Sequence, residues 1–475
     1  MAEPVRVIVQ MRSTPSLAAA SFGPLAAAPL SGLAAVPGVH FDANYSPVPI
    51  PPAPTDGGAA FLALAAAPAA QTYVVRATVQ AERLDDFVQQ AAADANVVGV
   101  FADVRIQPIA AVCPIGPVGT DQDVAALLGV ADLHAQGMDG TGVRVVIVDS
   151  GINRPYLQVR GKQPAFDSTL SWGPLPNQPL GNMPVDHGTM CAYDVCIAAP
   201  HCTLVDHALL TSQAGGGSVM DGFLSDAVQS YGLLLSHLMQ APGPFAGEDT
   251  PRTLVVNNSW GMFHPSWDFP VGSPQNYSDN PDHPFNIIVA SLEAAGADIL
   301  FAAGNCGTEC PDGRCDGVTN AGIFGANSHP AVLSVAGVKI DKQRIGYSTK
   351  GPGRLEKKKP DIASYTHFAG SGVYTADGGT SAATPVAAGV VAAVRRLYPG
   401  SVLAPGMLRD LIRQTAEPRG GSGFNNEYGH GIINVPKLLT ALEDELGPVT
   451  GVAARAARPA RPTKKAKRKL KTRRK

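Results

Sequence analysis

The chain has 475 residues, 45% of them hydrophobic, with 37 Lys and Arg against 39 Asp and Glu. That length suits one large core plus accessory pieces, and no run of roughly eighteen apolar residues lacks a breaker, which argues against a membrane-spanning helix. The near-neutral total hides an asymmetry: Arg455 to Lys475 hold 12 basic and no acidic side chains, and removing those 12 leaves 25 basic against 39 acidic, a formal charge of −14.

In chain order, "VRVIVQM" (5–11) reads as a strand. The start "MAEPVRVIVQMRS" carries an early Glu and alternates, unlike a signal peptide, so a cytoplasmic or non-classically exported protein is expected. Residues 12–70 are rich in Ala and Pro without a sustained period and predict loop or partial disorder. "TYVVRATV" (72–79) predicts a strand, "AERLDDFVQQAAADA" (81–95) an amphipathic helix, and "VVGVFADVRIQPI" (97–109) one further strand. Together these predict a small α+β unit ending near residue 110, followed by an exposed connection, "AVCPIGPVGTDQ".

From about residue 122 the pattern changes. "VRVVIVD", "TLVVNNS", "ADILFAAGN" and "AVLSVAGV" are near-continuous apolar runs. They alternate with helical segments such as "DGFLSDAVQSYGLLLSHLMQ" and "PFNIIVASLEAAG". Buried strands joined by helices predict an α/β fold, a mostly parallel sheet with helices on both faces. Ligands gather at the carboxyl ends of such strands.

Four polar residues fall where that rule places a site. Asp149 ends a buried strand in "VVIVDSGI". His187 opens a helix in "DHGTMCAYDV". Asn305 ends a strand in "LFAAGNCG", and Ser381 opens a helix in "GGTSAATPVAAG". Singly, each has an ordinary reading as a cap, turn or structural residue. Jointly they supply a nucleophile, a base, the carboxylate that orients the base, and an amide for a developing oxyanion.

In these motifs the sequence resembles the subtilisin-like serine proteases, from about 126 to 440. "GMDGTGVRVVIVDSGI", "DHGTMCAYDV", "FAAGNCG" and "GGTSAATPVAAG" resemble the family's Asp, His, oxyanion and Ser blocks, in the same order. The resemblance implies an endopeptidase acting on polypeptides through an acyl-enzyme, without a cofactor. Ser381 would be the nucleophile, His187 the base, Asp149 its partner and Asn305 the oxyanion donor. "VVNNSWG" resembles the cleft strand, so Ser259, Trp260 and Gly261, with Ala303 and Gly304, are expected to line the substrate cleft. Trp260 and the insertion "MFHPSWDFPVGSPQNYSDNPDHPF" are expected to shape the specificity pockets.

Two positions depart from the family. Met190 stands where a second His is usual. The run Cys191 to Pro200 leaves no room for the loop that often holds a calcium ion, so no metal site is expected. Asp279, Asn280 and Asp282 read as a hydrophilic loop before a calcium set.

Residues 1–115 resemble more loosely an inhibitory propeptide, which implies self-cleavage between about 105 and 125. The alternative is a permanently attached domain. The expected division is therefore 1–115 (with the insertion 12–70), a catalytic domain 122–448, and a basic tail 449–475. That tail reads either as a solvated end or as a non-specific contact for nucleic acid or an anionic surface through residues 455–475. The odd count of seven cysteines predicts mostly reduced thiols. Cys306, Cys310 and Cys315 read as a local disulfide or free thiols rather than a zinc site. A rival to the enzyme is an inactive scaffold of the same fold.

Overall fold

The computed structural model describes residues 4–20, 31–54, 71–110, 113, 115–212, 220–239 and 253–447. The basic tail, with any nucleic-acid contact it makes, lies outside the described residues, as do parts of the insertion 12–70.

The centre is a seven-stranded parallel sheet. Its order is Ile362–Tyr365, Leu333–Val338, Asp298–Ala302, Leu254–Asn258, Arg144–Val148, Thr203–His207 and Ala165–Phe166. The inner strands are mostly apolar because helices cover both faces, with buried polar residues such as Asn257, Asn258 and Asp206 towards their carboxyl ends. On one face lie the helices His187–Ala198 and Gly379–Arg395, in one cluster with Val145, Ile147 and Val335. On the other lie Leu224–Met239 and Pro284–Ala294, packed with Val146, Val256 and Phe301.

The helix Gly379–Arg395 is buried along its whole length. Its small residues serve a close crossing with the helix His187–Ala198. A Cβ at Gly389 would sit 2.4 Å from the Val195 carbonyl oxygen. At the far end, buried Arg395 pairs with Asp298 and caps the carbonyl of Tyr398.

The N-terminal part forms an antiparallel sheet. Val5–Arg12 pairs with Thr72–Val79 on one side and Val97–Ala102 on the other. Within the insertion expected to be loop, Val39–Phe41 and Val48–Ile50 pair with Thr72–Val79, and Pro15–Ala20 is helical. These short pieces carry too few residues to show a period, yet their valines and Ile50 bury against the sheet.

The run 97–109 is two strands. Val97–Ala102 stays in the N-terminal sheet, whereas Arg105–Pro108 leaves it and enters the catalytic part. Asp103 sits at the switch. Its carboxylate accepts from Ser225 N at 2.7 Å and Ser225 Oγ at 2.9 Å, at the start of the helix Leu224–Met239, and Arg6 donates to it at 3.0 Å. Arg76 pairs with Asp226 on the same turn at 2.6 Å. A carboxylate on a helix N-terminus docks the N-terminal sheet onto the catalytic part.

The connection after residue 110 is exposed but fastened. Val118 N donates to the His367 carbonyl and Asp121 N to that of Ala369. Cys113 forms a disulfide with Cys310, and Cys306 forms one with Cys315. The expectation of mostly reduced thiols is thereby corrected: four of the seven cysteines are paired, and Cys191, Cys196 and Cys202 are free and buried. The pairs form because the loop after Asn305 folds back on itself and onto the connection, a proximity no count reveals.

Candidate active site

Asp149, His187, Asn305 and Ser381, far apart in sequence, come together at the carboxyl ends of the central strands. Asp149 follows the strand Arg144–Val148 and is fully buried. Its two carboxylate oxygens lie 2.9 and 3.0 Å from His187 Nδ1. That contact makes Nδ1 the protonated nitrogen and leaves Nε2 as the base. His187 Nε2 is buried and has no hydrogen-bond partner among the described residues. The helix that carries it is capped by Asp186 and pressed against the Asp149 turn. At Gly188 a Cβ would meet the Gly151 carbonyl oxygen at 2.5 Å, and Gly188 N donates to Ser150 Oγ at 2.9 Å.

Ser381 is fixed through its backbone. Its carbonyl accepts from Ser259 Oγ at 3.0 Å. Cys191 packs beneath the pair, 3.8 Å from Asp149 Oδ2. Burial first, and the Asp149 charge second, push the Cys191 thiol well up, so it stays neutral and inert.

Asn305 is oriented by its neighbours. Thr380 N donates to Asn305 Oδ1 at 3.0 Å, and Gly304 N donates to Thr380 Oγ1 at 3.0 Å. With Oδ1 facing a donor, Nδ2 must face the cleft. Sequence reasoning missed this role of Thr380, although it stands directly before Ser381.

The chain's own residues fill the cleft. Arg105–Pro108 forms the middle strand of an antiparallel trio, between Gly222–Phe223 and Trp260–Gly261. Gln107 pairs with Gly261 and Pro108 with Trp260, and Ile109 N donates to the Ser259 carbonyl at 3.0 Å. The Ile109 carbonyl then meets Ser381 Oγ at 2.5 Å and Asn305 Nδ2 at 3.1 Å. Asn305 Nδ2 also donates to the Ala110 carbonyl at 2.7 Å. The shorter amide contact is with Ala110, but the serine and the end of the ladder both select Ile109. Beyond Ala110 lies a cavity of about 280 Å³ edged by His187, Met190, His367 and Tyr374.

The Ile109 side chain occupies an apolar box with Phe263, Ala302, Cys306 and Cys315, and Trp267 packs against it. Ser259 and Gly261 meet Ile109 and Gln107 through backbone. Trp260 meets Pro108 in the same way, but its indole points away, into the core against Phe285 and Phe301. The side chains around Ile109 come instead from Phe263, which lies in the insertion after Gly261, and from the disulfide-closed loop. Ala303 is buried with its N–H on the Val335 carbonyl, so Ala302 is the alanine that meets Ile109. The carboxylate of Asp279 is taken by Arg354, at 2.7 and 2.9 Å.

Such a set of groups defines a hydrolase of the serine type. A family model described as the subtilase family matches residues 140–431. The chain belongs to that family and is a serine endopeptidase acting on polypeptides. It is 27% identical to bacillopeptidase F of Bacillus subtilis (strain 168) over 347 residues, covering 67% of this chain and 22% of that protein. It is 27% identical to subtilisin E of the same organism over 313 residues, 64% of this chain and 67% of that one. With furin of Rattus norvegicus it shares 23% identity over 337 residues, 67% of this chain and 39% of furin. The chain thus spans about a fifth of bacillopeptidase F and two thirds of subtilisin E. No helix among the described residues is long and apolar enough to cross a membrane.

Proposed function

We propose that the protein is made as a zymogen that cuts itself between Ile109 and Ala110, with Ser381 as nucleophile, His187 as base, Asp149 as its orienting partner and Asn305 as oxyanion donor. The observation that carries this reading is the ladder Gln107–Ile109 against Ser259–Gly261, which ends with the Ile109 carbonyl on Ser381 and Asn305.

In the reaction, the Ser381 hydroxyl proton passes to the unpartnered His187 Nε2 as Oγ bonds to the Ile109 carbonyl carbon. The charge that develops on the Ile109 oxygen is met by Asn305 Nδ2 and the Ser381 backbone N–H. Collapse breaks the bond to Ala110 N, which takes the proton from His187. Water then enters from the cavity side and releases Ile109 as a carboxylate, with His187 again the base. Asp149 holds the imidazolium throughout. The hydroxyl must turn from the Ile109 oxygen to His187, a small change of the kind expected between resting and reacting geometries.

The test is to treat the full-length protein and its Ser381→Ala variant with a fluorophosphonate probe and measure intact masses. The wild type is expected to lose residues up to Ile109 and to label, and the variant to do neither. Labelling without that cut would make the N-terminal part a permanent domain. No labelling after proteolytic removal of that part would reject the catalytic assignment.

A further inference from the structure

We propose that the cleft selects glutamine at the third residue before the cut, through an amide clamp formed by Asp221 and Arg314. The inference rests on Ile109–Ala110 being the scissile bond. Gln107 then occupies that third place, with its backbone paired to Gly261. Its side chain lies between two charged groups of the catalytic part. Gln107 Nε2 donates to Asp221 Oδ1, and Gln107 Oε1 accepts from Arg314 Nη1 at 3.0 Å.

The two walls are independent. Asp221 directly precedes Gly222–Phe223, one neighbour of the cleft strand, and is only 5% exposed. Arg314 comes from the opposite side, in the loop closed by Cys306–Cys315. Asp312 holds it at 2.9 Å through Nε and 2.7 Å through Nη2, and its guanidinium lies 3.7 Å over the Phe263 ring. Arg314 Nη2 also donates to the Pro108 carbonyl at 3.1 Å, a contact any sequence can make.

An ionised Asp only accepts and an Arg only donates. A primary amide of glutamine length satisfies both at once. Glutamate would set its carboxylate against Asp221, and lysine its ammonium against Arg314. Methionine would leave the buried Asp221 carboxylate facing carbon.

The test uses the full-length protein after self-cleavage, with active sites counted by fluorophosphonate. Quenched peptides Ile-Xaa-Pro-Ile-Ala-Ser are compared, with Xaa as Gln, Glu, Lys or Met. The Gln peptide is expected to exceed each of the others in kcat/KM by about ten- to a hundredfold, as for sites that hydrogen-bond a polar group in partial burial. In Asp221→Asn the Gln-to-Glu ratio should fall several-fold. Arg314→Met should slow every peptide, through the lost Pro108 contact, while relieving Lys relative to Gln. Equal kcat/KM for all four peptides, cut at Ile-Ala by wild type whose active sites titrate in a parallel sample, overturns the clamp alone. Failure to label, or to cut any of them at Ile-Ala, overturns the clamp together with the assignment of the scissile bond.

Discussion

Ser381 Oγ and the carbonyl oxygen of Ile109 stand 2.5 Å apart, although 272 positions separate them in the chain. Asn305 approaches the same oxygen from the side. If that amide stabilises charge that appears only in the transition state, Asn305→Ala should lower kcat by about 100- to 1,000-fold and leave KM nearly unchanged. Steady-state kinetics on a peptide substrate decides it, and an effect confined to KM would reject the role.

Both oxygens of Asp149 address His187 Nδ1, so this carboxylate sets the tautomer. Asp149→Asn keeps the size but offers an N–H, which favours the wrong tautomer. A kcat loss of about 10,000-fold with an unchanged melting temperature is expected. Near-normal turnover would show that the imidazole is oriented by something else.

Asp206 supplies a pH test. Burial, helped by the Asp149 charge and opposed by the N–H groups of Gly181 and Ile152, pushes its carboxyl up to about 7. The folded protein therefore keeps a proton that the unfolded chain gives up near the usual 3.8. Its contribution to stability is complete below about pH 4, declines as pH rises, and is gone above about pH 7, at up to about 1.4 kcal/mol per unit. Asp206→Asn has nothing to ionise. Chemical denaturation across this range should show the wild type losing ground to the variant between pH 4 and 7 and not beyond. A constant difference would mean that Asp206 is ionised in the folded protein throughout.

At Gly389 the two helices that carry His187 and Ser381 touch backbone to backbone. Gly389→Val should destabilise by roughly 1–3 kcal/mol, as overpacking does. It should also cost activity in the molecules that remain folded, because it parts the base from the nucleophile. Active-site titration beside thermal melting separates the two effects. Full activity per folded molecule would show that the crossing does not set the site.

Asp103 caps the helix Leu224–Met239 across the junction of the two parts. In the self-cleaved protein, Asp103→Ala should weaken retention of the N-terminal part about tenfold, the value of one lost cap and its ion pair. Inhibition of the purified catalytic part by the released N-terminal part measures this. An unchanged inhibition constant would mean that the cleft strand alone holds the two together.

Much of the catalytic part was legible in the sequence because its signals are local. Asp149, His187, Asn305 and Ser381 each end a strand or open a helix, and periodicity finds those ends without knowledge of distant contacts. The run 97–109 misled because Val104 and Ile106 continue its apolar pattern while the hydrogen bonds change sheets at Asp103. Trp260 misled for another reason. The family resemblance of "VVNNSWG" places it on the cleft strand, but which face its indole takes depends on Phe285 and Phe301, which arrive from other elements. Thr380 and Ala302 went unremarked because their work is done through a neighbour's side chain and a remote residue.

The Cys113–Cys310 bond would give the proposed self-cleavage an outcome that a simple cut lacks. Severing Ile109 from Ala110 would part the N-terminal residues from the rest of the chain, but the new amino group at Ala110 would stay on a short covalent leash to the loop that carries Cys310. A leash of a few residues holds its end near the site at an effective concentration on the order of millimolar. The mature enzyme would thus carry its own leaving group as a resident competitor on the primed side. Incoming polypeptides would have to displace it; a second cut before Cys113 would remove it for good, whereas reduction of the bond would only lengthen the leash to the anchor at Val118.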